Sequence, residues 1–414
     1  MSIDQLVDQR IAAAIAAVEP GLKGDKGDKG DKGDKGDKGD PGVGGSGPGV
    51  AVPKWIGGNQ QIGAGWPAFK TALDALAARC RDLPLSSGAK INLPHSFPGG
   101  FAYAGAVQLP DGRVFLAPHT TSMARIYDPS TNTLVTPSGT YPSSQGSFNG
   151  VVLMSDGRVF IVPSNNTTAR IFDPKNETLT TPGGAYPGGD AYCGGVLLPD
   201  GRVFCVPHQA TAARIYDPVT DSVATVPGFP GNYAYAGGVL LPDGRVFCVP
   251  HHVTQAAIYN PANNTVSFTA AIFPGSEGLV MGCLLPDGRV FCANHKAAAP
   301  RIWNSADDTV TTPPGSWGSA GVSNFIGCTL LHDGRVFVMP YVSTTARIYD
   351  PVTNTTVTPP GTYPGAGAHH GALTLKDGRV FCPPFGSTQA FLAATGYGID
   401  ADPNLVTSPF YNRF

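Results

Sequence analysis

Charged residues make up only 14% of this 414-residue chain, and the formal net charge is −2 at pH 7. No basic excess is available to hold nucleic acid or an anionic membrane, so neither partner is expected. No apolar run approaches the roughly 18–20 residues of a transmembrane helix, which argues against membrane insertion. The short run IAAAIAAV near the start is preceded by Asp4, Asp8 and Arg10. It lacks the positive start and small-residue cleavage site of a secretory signal. The eight cysteines show no metal-ligand spacing. Cys205, Cys248, Cys292 and Cys382 each follow an RVF triplet at one repeated position and read as small buried hydrophobes. Beyond residue 90 the only glutamates are Glu177 and Glu277. Most aspartates there sit in repeated turns, and Asp190, Glu277, Asp307, Asp400 and Asp402 alone fall outside the repeat register. A glycosidase-type carboxylate pair is hard to assemble from that stock, so the expectation is of a protein that is not an enzyme.

Glycine (54) and proline (39), in contrast, are abundant, and their placement divides the chain. Residues 1–20 read as a helical attachment or trimerisation segment: Ser2 and Gln5 form a capping-box pattern, and Ile3, Val7, Ile11, Ile15 and Val18 make one apolar stripe. Residues 21–50 carry GLKGDKGDKGDKGDKGDKGDPGVGGSG, with glycine at every third position from Gly21 to Gly45. That period is the collagen signature, because only glycine fits at the axis of three polyproline-II chains. Alternating Lys and Asp can pair between staggered chains, which predicts a trimeric stalk with a reach on the order of 80 Å. The competing reading is a solvated charged linker. Residues 51–89 form a connector, with one helix read over residues 67–82 from its starting proline and the face Phe69, Leu73, Leu76 and Cys80.

Residues 90–414 are built on a repeat. DGRVF recurs at Asp111, Asp156, Asp200, Asp243, Asp287, Asp333 and Asp377, at spacings of 45, 44, 43, 44, 46 and 44. The stretch GGVLLPDGRVFCVPH even occurs twice unchanged, at residues 194–208 and 237–251. Each unit reads as four short strands: GGVLL and RVFCV about a tight PDG turn, then ARIYD, then TLVTP after an Asp-Pro turn. Four antiparallel strands make a propeller blade, so the fold class is all-β, a seven-bladed β-propeller. INLPHSFPGG (residues 91–100) matches the fourth strand and exit loop of other blades. The N-terminal segment is therefore expected to complete the last blade as a clasp between the chain ends. The arginine of every DGR turn reads as structural, paired with a nearby aspartate.

The GGVLLPDGRVF…ARIYDPxTNT pattern resembles Kelch-type propeller repeats over roughly residues 90–414. An N-terminal helix, a Gly-X-Y stalk and a repeat-built β head together resemble a bacteriophage tail fibre or receptor-binding protein. The resemblance implies a homotrimer in the virion, assembled in the host cytoplasm and acting at the host surface. Its N-terminal helix would be held by a tail or baseplate protein, and its head would bind a bacterial surface receptor such as a glycan. Two alternatives stay open: a Kelch-like carbohydrate-active enzyme or oxidase on the same stalk, and a structural protein of the bacterial surface.

The candidate site comes from positions that differ between blades. Eight residues after each DGR aspartate stand His119, Ser164, His208, His251, His295, Tyr341 and Phe385; eight before stand Tyr103, Phe148, Tyr192, Tyr235, Leu279, Phe325 and His369. A hairpin folded about its turn brings such positions near one another at the end opposite the DGR turn. By the Kelch resemblance that end is a channel mouth, where a ring of aromatic and imidazole groups suits stacking on sugars and bonding to hydroxyls. The competing reading is blade-to-blade packing. Spreading the histidines around a ring disfavours a shared metal, and no cofactor is expected. His252 and His370 add to the polar rim.

Overall fold

The computed structural model describes residues 90–393 apart from 144, 145 and 366. The N-terminal helix, the Gly-X-Y stalk, the connector helix and the tail after residue 393 lie outside the described residues. The rest is an all-β seven-bladed propeller of seven four-stranded antiparallel sheets, six with their strands in chain order and the seventh completed by Lys90–Asn92. Blade three is typical, with strands Tyr192–Leu197, Val203–Pro207, Ala212–Asp217 and Ser222–Pro227. Its register aligns Val196 with Phe204, Phe204 with Ile215 and Ile215 with Ala224.

Burial follows from each strand's place in the blade. The second strand (VFCVP and its equivalents) is buried along its whole length, because both sheet faces are covered by neighbouring blades. It accordingly reads as a continuous apolar run. In blade one the third strand keeps two buried residues, and the short outer strand only a half-buried centre. The cysteines after RVF (Cys205, Cys248, Cys292, Cys382) are fully buried and free, as small hydrophobes in that second strand.

Two aromatic positions lock the blades together. The phenylalanine of DGRVF stacks on the aromatic of the next blade's third strand: Phe115 on Phe172, Phe160 on Tyr216, Phe204 on Tyr259, Phe247 on Trp303, Phe291 on Tyr349, and Phe381 of blade seven on Tyr127 of blade one. Centroid separations of 4.7–5.5 Å are those of stacked rings. The same third-strand aromatics reach the turn that follows. Tyr127, Tyr216, Tyr259 and Tyr349 donate from their hydroxyls to Asn132, Asp221, Asn264 and Asn354, and Trp303 Nε1 donates to Asp308. Each acceptor holds a positive φ, from 49° to 59°, a conformation Asn and Asp tolerate better than other side-chain-bearing residues.

The DGR turns repeat one geometry. In blade one the Arg113 backbone N–H donates to Asp111 Oδ1 at 3.0 Å and Arg113 Nε to Asp111 Oδ2 at 2.8 Å, while Gly112 takes φ 93°. All seven arginines make this ion pair with their own aspartate. Arg379 also donates to the Pro129 carbonyl of blade one, and Arg289 to the Pro351 carbonyl of blade six. The ring closes at blade seven. There Lys90–Asn92 pairs antiparallel with Phe391–Ala393, supplying the outer strand to Leu373–Thr374, Val380–Cys382 and Phe391–Ala393.

Candidate functional site at the channel mouth

At the end opposite the DGR turns, the residue eight after each DGR aspartate is fixed at one height by its backbone. His119, Ser164, His208, His251, His295, Tyr341 and Phe385 each donate an N–H to the carbonyl of the residue just before their own innermost strand position, at 2.7–3.0 Å. Their carbonyls then accept from the next blade. Ser147 donates to His119, Ala191 to Ser164, Ala234 to His208, Gly278 to His251, Asn324 to His295, Gly367 to Tyr341 and Ala102 to Phe385. The last of these joins blade seven to blade one, so the belt of backbone hydrogen bonds runs around the entire mouth.

The belt brings side chains into ring-to-ring contact. His208 and His251 lie 5.8 Å apart between centroids, His251 and His295 6.2 Å, and His295 and Tyr341 5.6 Å. Across the seam Phe385 lies 5.5 Å from His119 and 5.0 Å from His370. The Nδ1 atoms of His119, His251 and His295 meet the carbonyls of Phe101, Leu279 and Phe325 at 2.7–3.1 Å. A carbonyl can only accept, so Nδ1 carries the proton and Nε2 is left as an acceptor. Burial depresses the pKa of His119, His208 and His295, and takes that of His251 to about 4. At neutral pH the mouth therefore presents uncharged imidazoles. Among the described residues no three His, Cys, Asp or Glu side chains gather as a metal-binding set.

The residues eight before the aspartate do not stand at this mouth. Tyr103, Phe148, Tyr192, Tyr235, Phe325 and His369 are at most 1% exposed. Five of the six pack edge-on against an aromatic after the outer strand or in the exit loop: Phe97, Tyr141, Tyr186, Phe229 and Trp317 against Tyr103, Phe148, Tyr192, Tyr235 and Phe325. His369 packs edge-on against Phe391. The expectation that these six bind receptor is thus corrected: they are core. A β-bulge is the cause. In blades one to six the pairing shifts between this residue and the third residue after it. The side chain that points into the channel is consequently the following one.

Those following residues form a throat beneath the mouth. Cys193, Ala236, Val280 and Ile326 make a buried apolar cluster with Met281 and Tyr341 packed on it. Ala104, Asn149 and His370 complete the ring from the remaining blades. One residue deeper, six blades carry glycine: Gly105, Gly150, Gly194, Gly237, Gly327 and Gly371, all with positive φ. Adjacent backbones nearly touch there; a Cβ on Gly150 would stand 2.8 Å from the Gly194 Cα. Blade five instead has Met281, at φ 49°. Its side chain crosses the channel, with Sδ 3.0 Å from where a Cβ of Gly327 would stand and 3.8 Å from that of Gly371. A space of about 110 Å³ is lined by Ala104, Asn149, Cys193 and His370 of the throat, by Met281 and its glycine counterparts, and by positions one residue deeper such as Ala106, Gly195, Gly282 and Cys328.

A second ring, which sequence reasoning passed over, lies outside the mouth at ten residues before each DGR aspartate: Phe101, Gly146, Asp190, Tyr233, Glu277, Ser323 and Gly367. Phe101, Asp190, Tyr233 and Glu277 hold φ between 55° and 65°. A non-glycine residue in this region carries strain, and such positions gather where function demands a particular tip. Tyr233, 36% exposed, lies edge-on to His208 at 4.9 Å and 5.5 Å from His252. Phe101, 42% exposed, lies 4.8 Å from Phe385. Glu277 pairs with Lys296 at 2.6 Å and approaches His252 at 3.9 Å. The face is thus polar over blades three to five and apolar where blade seven meets blade one. The signal was present in the sequence, since these tips differ from blade to blade.

No protein-family model and no curated protein sequence matches the chain. Solved structures do resemble it. Virginiamycin B lyase from Staphylococcus aureus gives a TM-score of 0.57 at 12% identity, covering 74% of this chain and 98% of that one. The WD40 propeller domain of Doa1 gives 0.58 at 12%, covering 78% and 100%. A copper-bound fungal alcohol oxidase gives 0.56 at 13%, covering 74% and 76%. At these identities the likeness establishes the fold alone. It nevertheless corrects the expectation that the protein is not an enzyme. Propellers of this shape include a lyase and an oxidase, and a shortage of paired carboxylates speaks only against carboxylate acid–base chemistry.

Proposed function

We propose that this chain is a homotrimeric viral fibre protein that attaches its virion to a bacterial surface receptor, a glycan, through the channel-mouth face of the propeller. The observation that carries the reading is the composition of that mouth. Neutral imidazole acceptors at His119, His251 and His295 share this face with the partly exposed rings of Tyr233, beside His208, and Phe101, beside Phe385. Sugars offer apolar ring faces for stacking and hydroxyl donors for such acceptors. The Gly-X-Y tract supports three heads on one stalk, which would turn weak single-site contacts into avidity. Residues 1–20 are the segment a tail or baseplate protein would hold. Binding of the full-length protein to a glycan array and to host cells, compared with Tyr233→Ala, tests the proposal; adsorption unaffected by changes at the mouth would refute it.

A second reading, turnover of the bound ligand, rests on the fold shared with a lyase and an oxidase. Burial, which takes the His251 pKa to about 4, makes that imidazole a weak base at neutral pH. Mass spectrometry of bound glycans after incubation separates the two.

A further inference from the structure

His370 sits in the throat ring with only 8% of its surface exposed, and its Nδ1 is a buried polar atom with no hydrogen-bond partner. Buried polar groups are nearly always paired, so an orphan facing a cavity asks for a guest that pairs it. Asn149, on the same ring five blades away in sequence order, supplies an amide beside the Cys193 thiol. The remaining wall is mostly apolar and includes Ala104, Cys193 and Met281. The space of about 110 Å³ is smaller than the roughly 150 Å³ that admits benzene. It takes a small substituent, not a sugar ring.

We infer that the throat is a specificity pocket for an acetamido group, so that the receptor is an N-acetylated amino sugar whose ring rests on the rim while its acetamido side arm enters the channel. This rests on the proposed glycan-binding role of the mouth. The chemistry of the pocket selects the group. An acetamido arm carries both an N–H donor and a carbonyl acceptor, and so satisfies the His370 Nδ1 in either tautomer and the Asn149 amide as well. Its methyl group fits against Ala104, Cys193 and the Met281 thioether. A free ammonium would lose its hydration with no carboxylate in the pocket lining to receive it. A bare hydroxyl would leave the apolar wall uncovered, and a deoxy methyl would leave His370 unpaired. The volume of about 110 Å³ limits the size of the acyl group, so long acyl chains are excluded.

The test is a ligand-observed NMR titration of the full-length protein at pH 7 with the methyl glycosides of N-acetylglucosamine, N-acetylgalactosamine, glucosamine and glucose. At least one acetamido glycoside should bind about tenfold or more tightly than glucose and glucosamine, with saturation transfer strongest at its acetyl methyl. Ala104→Leu fills the throat and should bring that ratio near one while rim binding persists. Asn149→Ala, which empties rather than fills, should also reduce it and guards against a folding defect in the first variant. Equal binding of acetylated and non-acetylated sugars would overturn the pocket assignment and leave the rim reading standing. Absence of binding to all four, with host-cell adsorption intact, would overturn the pocket and the glycan reading together.

Discussion

The ring of Phe204 in blade three lies 4.8 Å from that of Tyr259 in blade four, at an interplanar angle of 16°. Phe204 comes from the invariant RVF of one repeat and Tyr259 from the third strand of the next, so the repeated motif is the interface between repeats. Phe204→Ala should cost about 3–5 kcal/mol, the range for truncating a buried aromatic. Tyr259→Phe keeps the stack and removes only the hydroxyl bond to Asn264, which predicts about 1 kcal/mol. Chemical denaturation of the two variants distinguishes these sizes. Comparable losses would mean that the hydroxyl, not the ring, holds the interface.

The closing strand can be probed without truncating the chain. Leu93 is 2% exposed, donates its N–H to the Ala390 carbonyl and packs in the core between blades seven and one. Ile91, two residues earlier, is 45% exposed although it pairs with Leu392. Leu93→Ala should therefore destabilise by about 2–4 kcal/mol and Ile91→Ala by well under 1 kcal/mol. A Leu93→Ala melt matching wild type would show that blade seven stands without its N-terminal strand.

Buried histidines make acid the weak side of the head. Burial lowers the pKa of His251 and His369 to about 4 and of His370 to about 3, against 6.5 when unfolded. Above pH 6.5 both states are neutral and stability is unaffected. As pH falls below 6.5 the unfolded chain takes up protons that the native state refuses, so stability declines down to about pH 3–4. Melting temperatures should be flat from pH 7 to 8 and fall steadily from pH 6 to 4. His370→Gln should flatten part of that slope; an unchanged slope would show that His370 does not set it.

How much of this was legible beforehand can be read from individual residues. Asp111 to Asp377 at near-constant spacing specified seven blades, and the match of residues 91–100 to other fourth strands specified closure. Both signals are local and repeat, so periodicity alone carries them. Tyr192 misled because counting equal steps from a turn assumes an unbroken ladder. The bulge before Gly195 shifts the register and sends the tyrosine into the core. His208 escaped that error because it lies past the end of the second strand, where the backbone bond to Ala191 places it. Tyr233 escaped notice because nothing in a single sequence marks a left-handed loop tip except that it differs from its counterparts.

Tyr233 and Tyr235 are two residues apart and should answer opposite questions. Tyr235 is fully buried against Phe229, so Tyr235→Ala should lower stability by about 3–5 kcal/mol and lose binding only through unfolding. Tyr233 is exposed at the rim, touching His208 and His252 by its edges. Its ring contacts are with the rim residues His208 and His252 and not with the core aromatics. Tyr233→Ala should leave the melting temperature within a degree or two while weakening receptor attachment about three- to tenfold per head, the value of one aromatic stacking contact of roughly 0.5–1.5 kcal/mol. In the proposed trimer, avidity would multiply that loss in cell adsorption. Surface plasmon resonance on immobilised host envelope, run beside thermal melts, reads both quantities. Normal adsorption by a stable Tyr233→Ala protein would move the receptor site off this rim to the outer strands or the DGR face.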